Sequence, residues 1–101
     1  MNKTVIESVT FKLVDNMSED RFLDCVQPTN DFLKSAPGFV RRCLSVGEDG
    51  TWIDHIEWTS LEQAMAASQR LMEFDKAQPF MAAIAPDSVI MRHDRAKMLL
   101  G

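Results

Sequence analysis

Hydrophobic and polar residues alternate along the first part of the chain, from Thr4 to Val14. One face of this segment carries Val5, Glu7, Val9, Phe11 and Leu13. A period of two predicts a β-strand, because successive side chains point to opposite faces. Glu7 interrupts an otherwise apolar row, and burial of an unpaired carboxylate is costly. Glu7 therefore has a partner or a chemical role, or else lies at a solvated end of the strand.

Apolar residues next recur at helical spacing in two segments. A helix is predicted to begin at 16–20, where Asn16 and Glu19 can form a capping box and Ser18-Glu19-Asp20 places acidic residues in the first turn. Pro28 predicts a kink or a new first turn because proline cannot donate a backbone hydrogen bond. The segment 36–38, Ala-Pro-Gly, ends this helix. A second helix begins after the cap Ser60, and Pro79 can open a short third helix.

Three further strands are predicted at 39–46, 51–59 and 88–93, and alternation along the first of these places Phe39 and Arg41 on one face and Val40 and Arg42 on the other. An Asp-Gly turn at 47–50 joins the first two as an antiparallel hairpin. One face of the 51–59 strand carries Trp52, Asp54, Ile56 and Trp58, and the other carries Ile53, His55 and Glu57. Charge on both faces indicates that both are packed and that a polar site interrupts at least one of them.

The element order is strand, helix, strand, strand, helix, strand. It predicts an α+β fold of the ferredoxin-like βαββαβ type, with a four-stranded antiparallel sheet and helices on one face. The first strand lies between the third and the fourth. The helix-free face is apolar enough that we expect another protein surface to pack against it, and we expect that surface to be a second copy of the chain. Residues 1–101 form a single domain.

Composition excludes several classes of partner. The chain of 101 residues has a net charge of -4 and scattered Lys and Arg, so no basic stripe for nucleic acid is present. No apolar run of membrane-spanning length or signal type occurs, and we expect a cytoplasmic protein without membrane contact. Cys25 and Cys43 are isolated, which favours free buried thiols over a disulfide or a metal site.

Short motifs along nearly the whole chain resemble those of the antibiotic biosynthesis monooxygenase family. The motifs are Phe11-Lys12-Leu13, Phe32-Leu33, Pro37-Gly38-Phe39, Asp49-Gly50-x-Trp52-x-Asp54, Trp58-x-Ser60, Pro79-Phe80, Pro86, Ser88-Val89 and Met91-Arg92-His93. The resemblance implies a homodimeric α+β barrel in which two sheets pack face to face. It also implies one pocket per subunit, between the sheet and the helices. The group includes cofactor-free oxygenases and haem degraders.

The family's functional residues carry over only in part. The Asn and Trp that its oxygenases use on the third strand fall on Asp54 and Trp58, and their catalytic tyrosine has no counterpart because the chain contains no Tyr. The first-strand Asn of the haem degraders falls near Glu7. Their iron-binding histidine has no counterpart between Ser60 and Ser88, so the resemblance implies neither haem nor another cofactor.

Four residues form the candidate site: Glu7, Asp54, Trp58 and His93. Two carboxylates and an imidazole beside an indole could trade protons in a partly apolar pocket and abstract a phenolic or α-carbonyl proton. The alternative is a structural network, with Asp54 or Glu7 paired to Arg42 or Arg92 and His93 solvated at a strand end.

The predicted function is a cofactor-independent monooxygenase that acts on a small aromatic or quinol-like molecule. Glu7 or Asp54 would be the base and His93 a proton partner, while Trp58 would position the substrate. The alternative is a non-catalytic dimeric barrel that binds a small apolar ligand, for instance in a stress response.

Overall fold

A computed structural model describes residues 3–101. Strands and helices follow one another in the order β1 (Val5–Phe11), α1 (Glu19–Lys34), β2 (Phe39–Val46), β3 (Trp52–Trp58), α2 (Leu61–Met72), α3 (Gln78–Ala82) and β4 (Ile90–Arg95). Single 3-10 turns lie at Asp75–Ala77 and Pro86–Ser88. The predicted βαββαβ order is confirmed.

The four strands form one antiparallel sheet in the order β2-β3-β1-β4. β1 is central, as predicted, and lies between β3 and β4. Glu7 of β1 is opposite Ile56 of β3 on one side and His93 of β4 on the other. Residues opposite each other in an antiparallel pair share a face, so this register places the carboxylate and the imidazole together.

Strand β2 differs from its predicted alternation. A β-bulge lies between Phe39 and Arg41, so that Phe39 is opposite Trp58 while Arg42 is opposite Ile56. The simple period of two assigned Phe39 and Arg42 to opposite faces, which is wrong. The extra residue of the bulge shifts the alternation by one and turns both side chains toward the helices.

Helix α1 begins where predicted, but its cap is Ser18 and not Asn16 of the predicted capping box, since the Ser18 hydroxyl accepts a hydrogen bond from the Arg21 backbone N–H. It continues unbroken through Pro28 to Lys34, so the predicted restart at Pro28 is wrong. A proline removes one intrahelical bond, but packing of one face against the sheet can retain the helix. Phe22 and Leu33 on that face are buried, one on each side of the proline.

Two strand boundaries also differ from prediction. β4 covers 90–95 rather than 88–93, because the turn Pro86–Ser88 delays its start. β1 ends at Phe11, and beyond it Leu13 makes a single isolated bridge to Ile84. Neither shift alters the faces on which the candidate site residues lie.

The core lies between the sheet and the helices and has two parts. One part is centred on the rings of Phe11, Phe22, Trp52 and Phe80, and the other on Trp58, Ile56 and Leu33. The candidate site lies at the sheet surface between these two clusters. Both clusters are formed by strand and helix residues, so the site rests on regular elements rather than on loops.

The helix-free face of the sheet mixes apolar and polar side chains. Ile53 and Ile90 are exposed there beside His55, and Arg41 pairs with Glu57 at 3.0 Å. Neither cysteine forms a disulfide, as predicted. Cys43 is exposed on this face, so its expected burial is wrong for the single chain. Within residues 3–101, no helix has the length and apolar character needed to cross a membrane.

Candidate active site

A cavity of about 210 Å³ lies between the sheet and the helices. Its walls are mainly apolar, and its polar side chains come from the centre of the sheet and from α1 and α2. The lining comprises Glu7, Val9, Phe11, Thr29, Phe32, Leu33, Arg42, Asp54, Ile56, Trp58, Ala67, Ser68, Leu71, Met72, Phe80, Ile84 and Met91. A cavity of about 150 Å³ can hold benzene, so this one has room for a ring system.

Glu7 and His93 form a pair at the cavity wall. The imidazole Nε2 lies 3.3 Å from Glu7 Oε1, and the side chains are 8% and 18% exposed for Glu7 and His93 respectively. Burial raises the pKa of Glu7 above its ordinary value of 4.5, and the nearby Asp54 charge adds to this; His93 acts in the opposite direction. His93 contacts Glu7 from the edge strand but does not line the cavity.

Trp58 is almost completely buried, at 1% exposure, and lines the same cavity. Its indole N–H is close enough to Glu7 to favour the charged carboxylate. Even so, Nε1 has no partner within hydrogen-bond geometry among residues 3–101. A buried N–H without a partner is uncommon in folded proteins and calls for an explanation. It lies beside the one buried carboxylate of the cavity whose pKa is raised.

Asp54 is held in a two-point ion pair. Arg42 Nε and Nη2 donate to the two Asp54 carboxylate oxygens at 2.9 and 2.7 Å, and both side chains are nearly buried. Arg42 Nη1 also donates to Thr29 Oγ1 and Asn30 Oδ1 of α1, at 2.7 and 2.9 Å. The guanidinium lies 5.7 Å from the centre of the Phe80 ring. Asp54 is therefore part of a network that ties β2 and β3 to α1.

The structure thus separates the predicted residues into two groups. Glu7, Trp58 and Asp54 line one cavity, and His93 reaches it through Glu7. The interpretation of Asp54 as the partner of Arg42 is the one that the geometry matches. Solvation of His93 at a strand end does not match, because its side chain is 18% exposed and bound to Glu7.

Two residues of α1 that bind the Arg42 guanidinium could not be found by sequence reasoning. Thr29 Oγ1 and Asn30 Oδ1 both accept hydrogen bonds from Arg42 Nη1. Thr29 is 1% exposed and also donates to the Val26 carbonyl. Because a kink or a new first turn was predicted at Pro28, the next residue, Thr29, could not be assigned to the buried face of a continuous helix.

Among residues 3–101, no group of three or more His, Cys, Asp or Glu side chains could hold a metal ion. The two histidines, His55 and His93, lie on opposite faces of the sheet. At the cavity wall, the Glu7 carboxyl can take up or release a proton, with His93 behind it.

Several solved structures share this architecture. SnoaB, a cofactor-independent oxygenase from Streptomyces nogalater, matches with a TM-score of 0.79 and 19% identity over 97% of both chains. A protein classed as an antibiotic biosynthesis monooxygenase from Bordetella bronchiseptica matches with a TM-score of 0.78 and 12% identity, over 95% of this chain and 99% of that one. A protein of the same class from Nitrosomonas europaea gives 0.75 and 11%, over 100% and 97%.

The chain has the antibiotic biosynthesis monooxygenase fold. This confirms the resemblance found in the sequence motifs at the level of the fold. No protein-family model and no curated protein matches the sequence. Identities below 20% establish a shared architecture, and the activity has to be argued from the site.

Proposed function

We propose that the protein is a cofactor-independent monooxygenase that acts on a small aromatic or quinol-like molecule in the cavity between sheet and helices. The observation that carries the proposal is Glu7, a buried carboxylate with a raised pKa on the wall of an apolar cavity. A carboxylate with a raised pKa is a stronger base when ionised, and a general base is most effective when its pKa approaches the working pH.

The reaction begins with removal of a proton from the substrate by Glu7. The resulting phenolate or enolate is electron-rich and passes one electron to O2, and the two radicals combine into a carbon-bound peroxide. When the reacting carbon carried two hydrogens, loss of water from the protonated peroxide leaves a carbonyl group. One O2 then yields one carbonyl oxygen and one water, and the substrate supplies all the electrons.

The geometry favours Glu7 over Asp54 as the base. Both Asp54 oxygens accept hydrogen bonds from Arg42, so a proton taken up there would disrupt the ion pair. Glu7 Oε1 lies 3.3 Å from Nε2 of His93, which is placed to accept or return the proton. Trp58 forms the wall against which the ring is positioned.

The same proposal includes a homodimer in the form of an α+β barrel. Its support is the helix-free face, on which Ile53 and Ile90 are 41% and 63% exposed. Packing this face against a second copy would bury them and leave the cavity, on the other face, unobstructed. Sedimentation equilibrium should give twice the chain mass, and a mass of one chain would contradict the dimer.

The activity is tested by oxygen uptake with a panel of hydroxyaromatic molecules. We expect uptake that matches product one to one and stops without oxygen. Glu7→Gln, which keeps the side-chain shape, should lower kcat by about 10²-fold or more, in line with loss of a general base. Glu48→Gln, in the exposed hairpin turn, is the matched control and should keep full activity. No uptake with any substrate, or equal activity in Glu7→Gln, would refute the assignment.

A non-catalytic ligand-binding protein is the second candidate. The observation in its favour is the Arg42–Asp54 ion pair, which gives one of the two cavity carboxylates a structural role. The absence of Tyr from the sequence also removes the residue that the resembling oxygenases use. Saturable binding of an aromatic molecule without oxygen uptake would select this candidate.

A further inference from the structure

The cavity between the sheet and the helices reaches solvent beside two methionines. Among its described lining residues, only Met72 and Met91 are exposed, at 67% and 49%, and the others are buried or half-buried. Met72 is the last residue of α2, whereas Met91 belongs to the edge strand β4, opposite Val9 of the cavity wall. One side chain comes from the helix layer and the other from the sheet layer. We call Met72 and Met91 the mouth of the cavity.

The mouth is apolar, and its two thioethers are chemically reactive. A thioether sulfur is oxidised by peroxides, and exposed methionines are the ones that a dissolved peroxide can reach. The sulfur lone pair forms a bond to one oxygen of hydrogen peroxide, and the O–O bond breaks. The proton of the transferred oxygen moves to the departing hydroxide, which leaves as water. The sulfur loses two electrons and the peroxide gains them, so that one sulfoxide and one water are formed.

The sulfoxide changes the polarity of the mouth. Oxidation converts a flexible apolar side chain, which can pack against an entering apolar molecule, into a polar and chiral one. An apolar molecule that passes it has to displace water from the sulfoxide oxygen, or the side chain turns outward and loses its packing. Burial of a polar group without a hydrogen bond is unfavourable, so either outcome weakens binding. Oxidation of the mouth therefore lowers the affinity of the cavity for apolar molecules.

We propose that Met72 and Met91 form a modification site, at which hydrogen peroxide produces sulfoxides that oppose the entry of apolar molecules into the cavity. The proposed dimer leaves this site accessible, because Ile90 of the helix-free face and Met91 are neighbours in β4 and point to opposite faces of the sheet. The proposal requires only that the cavity takes up an apolar molecule. It goes beyond the proposed function and does not depend on oxygenase activity.

Calorimetric titration with toluene, a hydrocarbon without hydrogen-bonding groups, measures entry into the cavity before and after treatment with hydrogen peroxide. Excess peroxide is removed before the titration, and peptide mass spectrometry gives the sulfoxide content at each methionine. We expect sulfoxide at Met72 and Met91 and an affinity for toluene that falls by about three- to tenfold, as desolvation of a polar group implies. Reduction by methionine sulfoxide reductases A and B, one for each sulfoxide epimer, should restore the original affinity.

Two double variants locate the effect. Leucine is apolar, close to methionine in volume and unable to form a sulfoxide, so Met72→Leu/Met91→Leu should have the same affinity for toluene before and after peroxide, whatever its starting value. The matched control is Met65→Leu/Met98→Leu, at two positions that are 49% and 75% exposed but do not line the cavity. This control should lose affinity on oxidation as the wild type does. Both double variants retain the two cysteines, so oxidation of thiols affects them equally.

Four results overturn the proposal: no saturable binding of toluene by the untreated wild type, an unchanged affinity once both mouth methionines are oxidised, an equal loss in Met72→Leu/Met91→Leu, or a loss that accompanies unfolding in a urea titration. If that double variant does not fold, the single variants Met72→Leu and Met91→Leu should each show a smaller loss than the wild type, and losses equal to the wild type's overturn the proposal. Oxygen uptake is measured separately. A peroxide-dependent loss of toluene binding without uptake of oxygen removes the monooxygenase proposal alone, and uptake without such a loss removes only the modification site.

Discussion

Replacement of Asp54 by Asn tests whether this carboxylate has a structural role. The Arg42 and Asp54 side chains are only 8% and 7% exposed, and they meet through two hydrogen bonds of 2.9 and 2.7 Å. Asparagine keeps the size of the side chain but removes its charge. The Arg42 guanidinium would then stay buried with only the neutral oxygens of Thr29 and Asn30 near it.

The expected loss in the free energy of unfolding is large for a small domain. Removing one partner of a buried ion pair costs about 3–5 kcal/mol, because the other charge is left without compensation. A domain of this size has a free energy of unfolding of roughly 5–15 kcal/mol. With a urea dependence of about 2 kcal/mol per molar, a loss of about 4 kcal/mol lowers the unfolding midpoint by about 2 M.

The assay is equilibrium unfolding in urea, followed by circular dichroism at fixed protein concentration. Asp24→Asn is the matched control, because it is the same change at an exposed position of helix α1. An exposed substitution usually changes the free energy of unfolding by no more than about 0.5 kcal/mol, so the control should hardly shift the midpoint. A loss in Asp54→Asn no greater than that in Asp24→Asn would refute the structural role of Asp54.

Two other predictions concern Glu7 and Gly38. Because burial raises the Glu7 pKa above 4.5, the folded state holds this proton more tightly than the unfolded chain, and its stabilising effect is lost as pH rises through the folded pKa. The stability advantage of the wild type over Glu7→Gln, from urea unfolding at pH 4 to 8, should therefore shrink as pH rises; an advantage that grows would contradict this. Gly38→Ala should cost more than Gly50→Ala: both have a positive φ, at 85° and 83°, but only at Gly38 would the new Cβ collide with Gln63. The first should lose about 2–4 kcal/mol and the second about 1–2 kcal/mol in thermal unfolding, and equal losses would count against the collision.

Much of the fold could be predicted from local patterns. Period-two alternation identified β1 and β3 because one face of each is buried while both are paired along their length. The cap Ser60 marked a helix start because its hydroxyl accepts a backbone N–H group of the first turn. Strand order then followed from the element order, and with it the proximity of Glu7 to His93.

The errors share a physical cause, since each depends on tertiary packing that a local pattern does not contain. Helix α1 continues through Pro28 because buried residues on both sides hold it against the sheet. The bulge in β2 changed the face of Phe39 without any glycine or proline to signal it. The hydrogen bonds from Arg42 to Thr29 and Asn30 join strand β2 to helix α1. Nothing in the spacing of these residues along the sequence indicates such bonds.

The bulge in β2 also determines which changes in chain length the site can tolerate. Phe39 packs on Trp58 with ring centres 5.9 Å apart, and Arg42 binds Asp54, although Phe39 and Arg42 are three positions apart in sequence. In a regular strand, residues three positions apart lie on opposite faces. Because Val40 is an extra residue at the bulge, Phe39 and Arg42 lie on the same face. Loss of one residue at Val40 would leave a regular ladder with both contacts on the helix side. An insertion between Arg42 and the hairpin, by contrast, would reverse the faces of β2 relative to the turn and separate the arginine from its carboxylate.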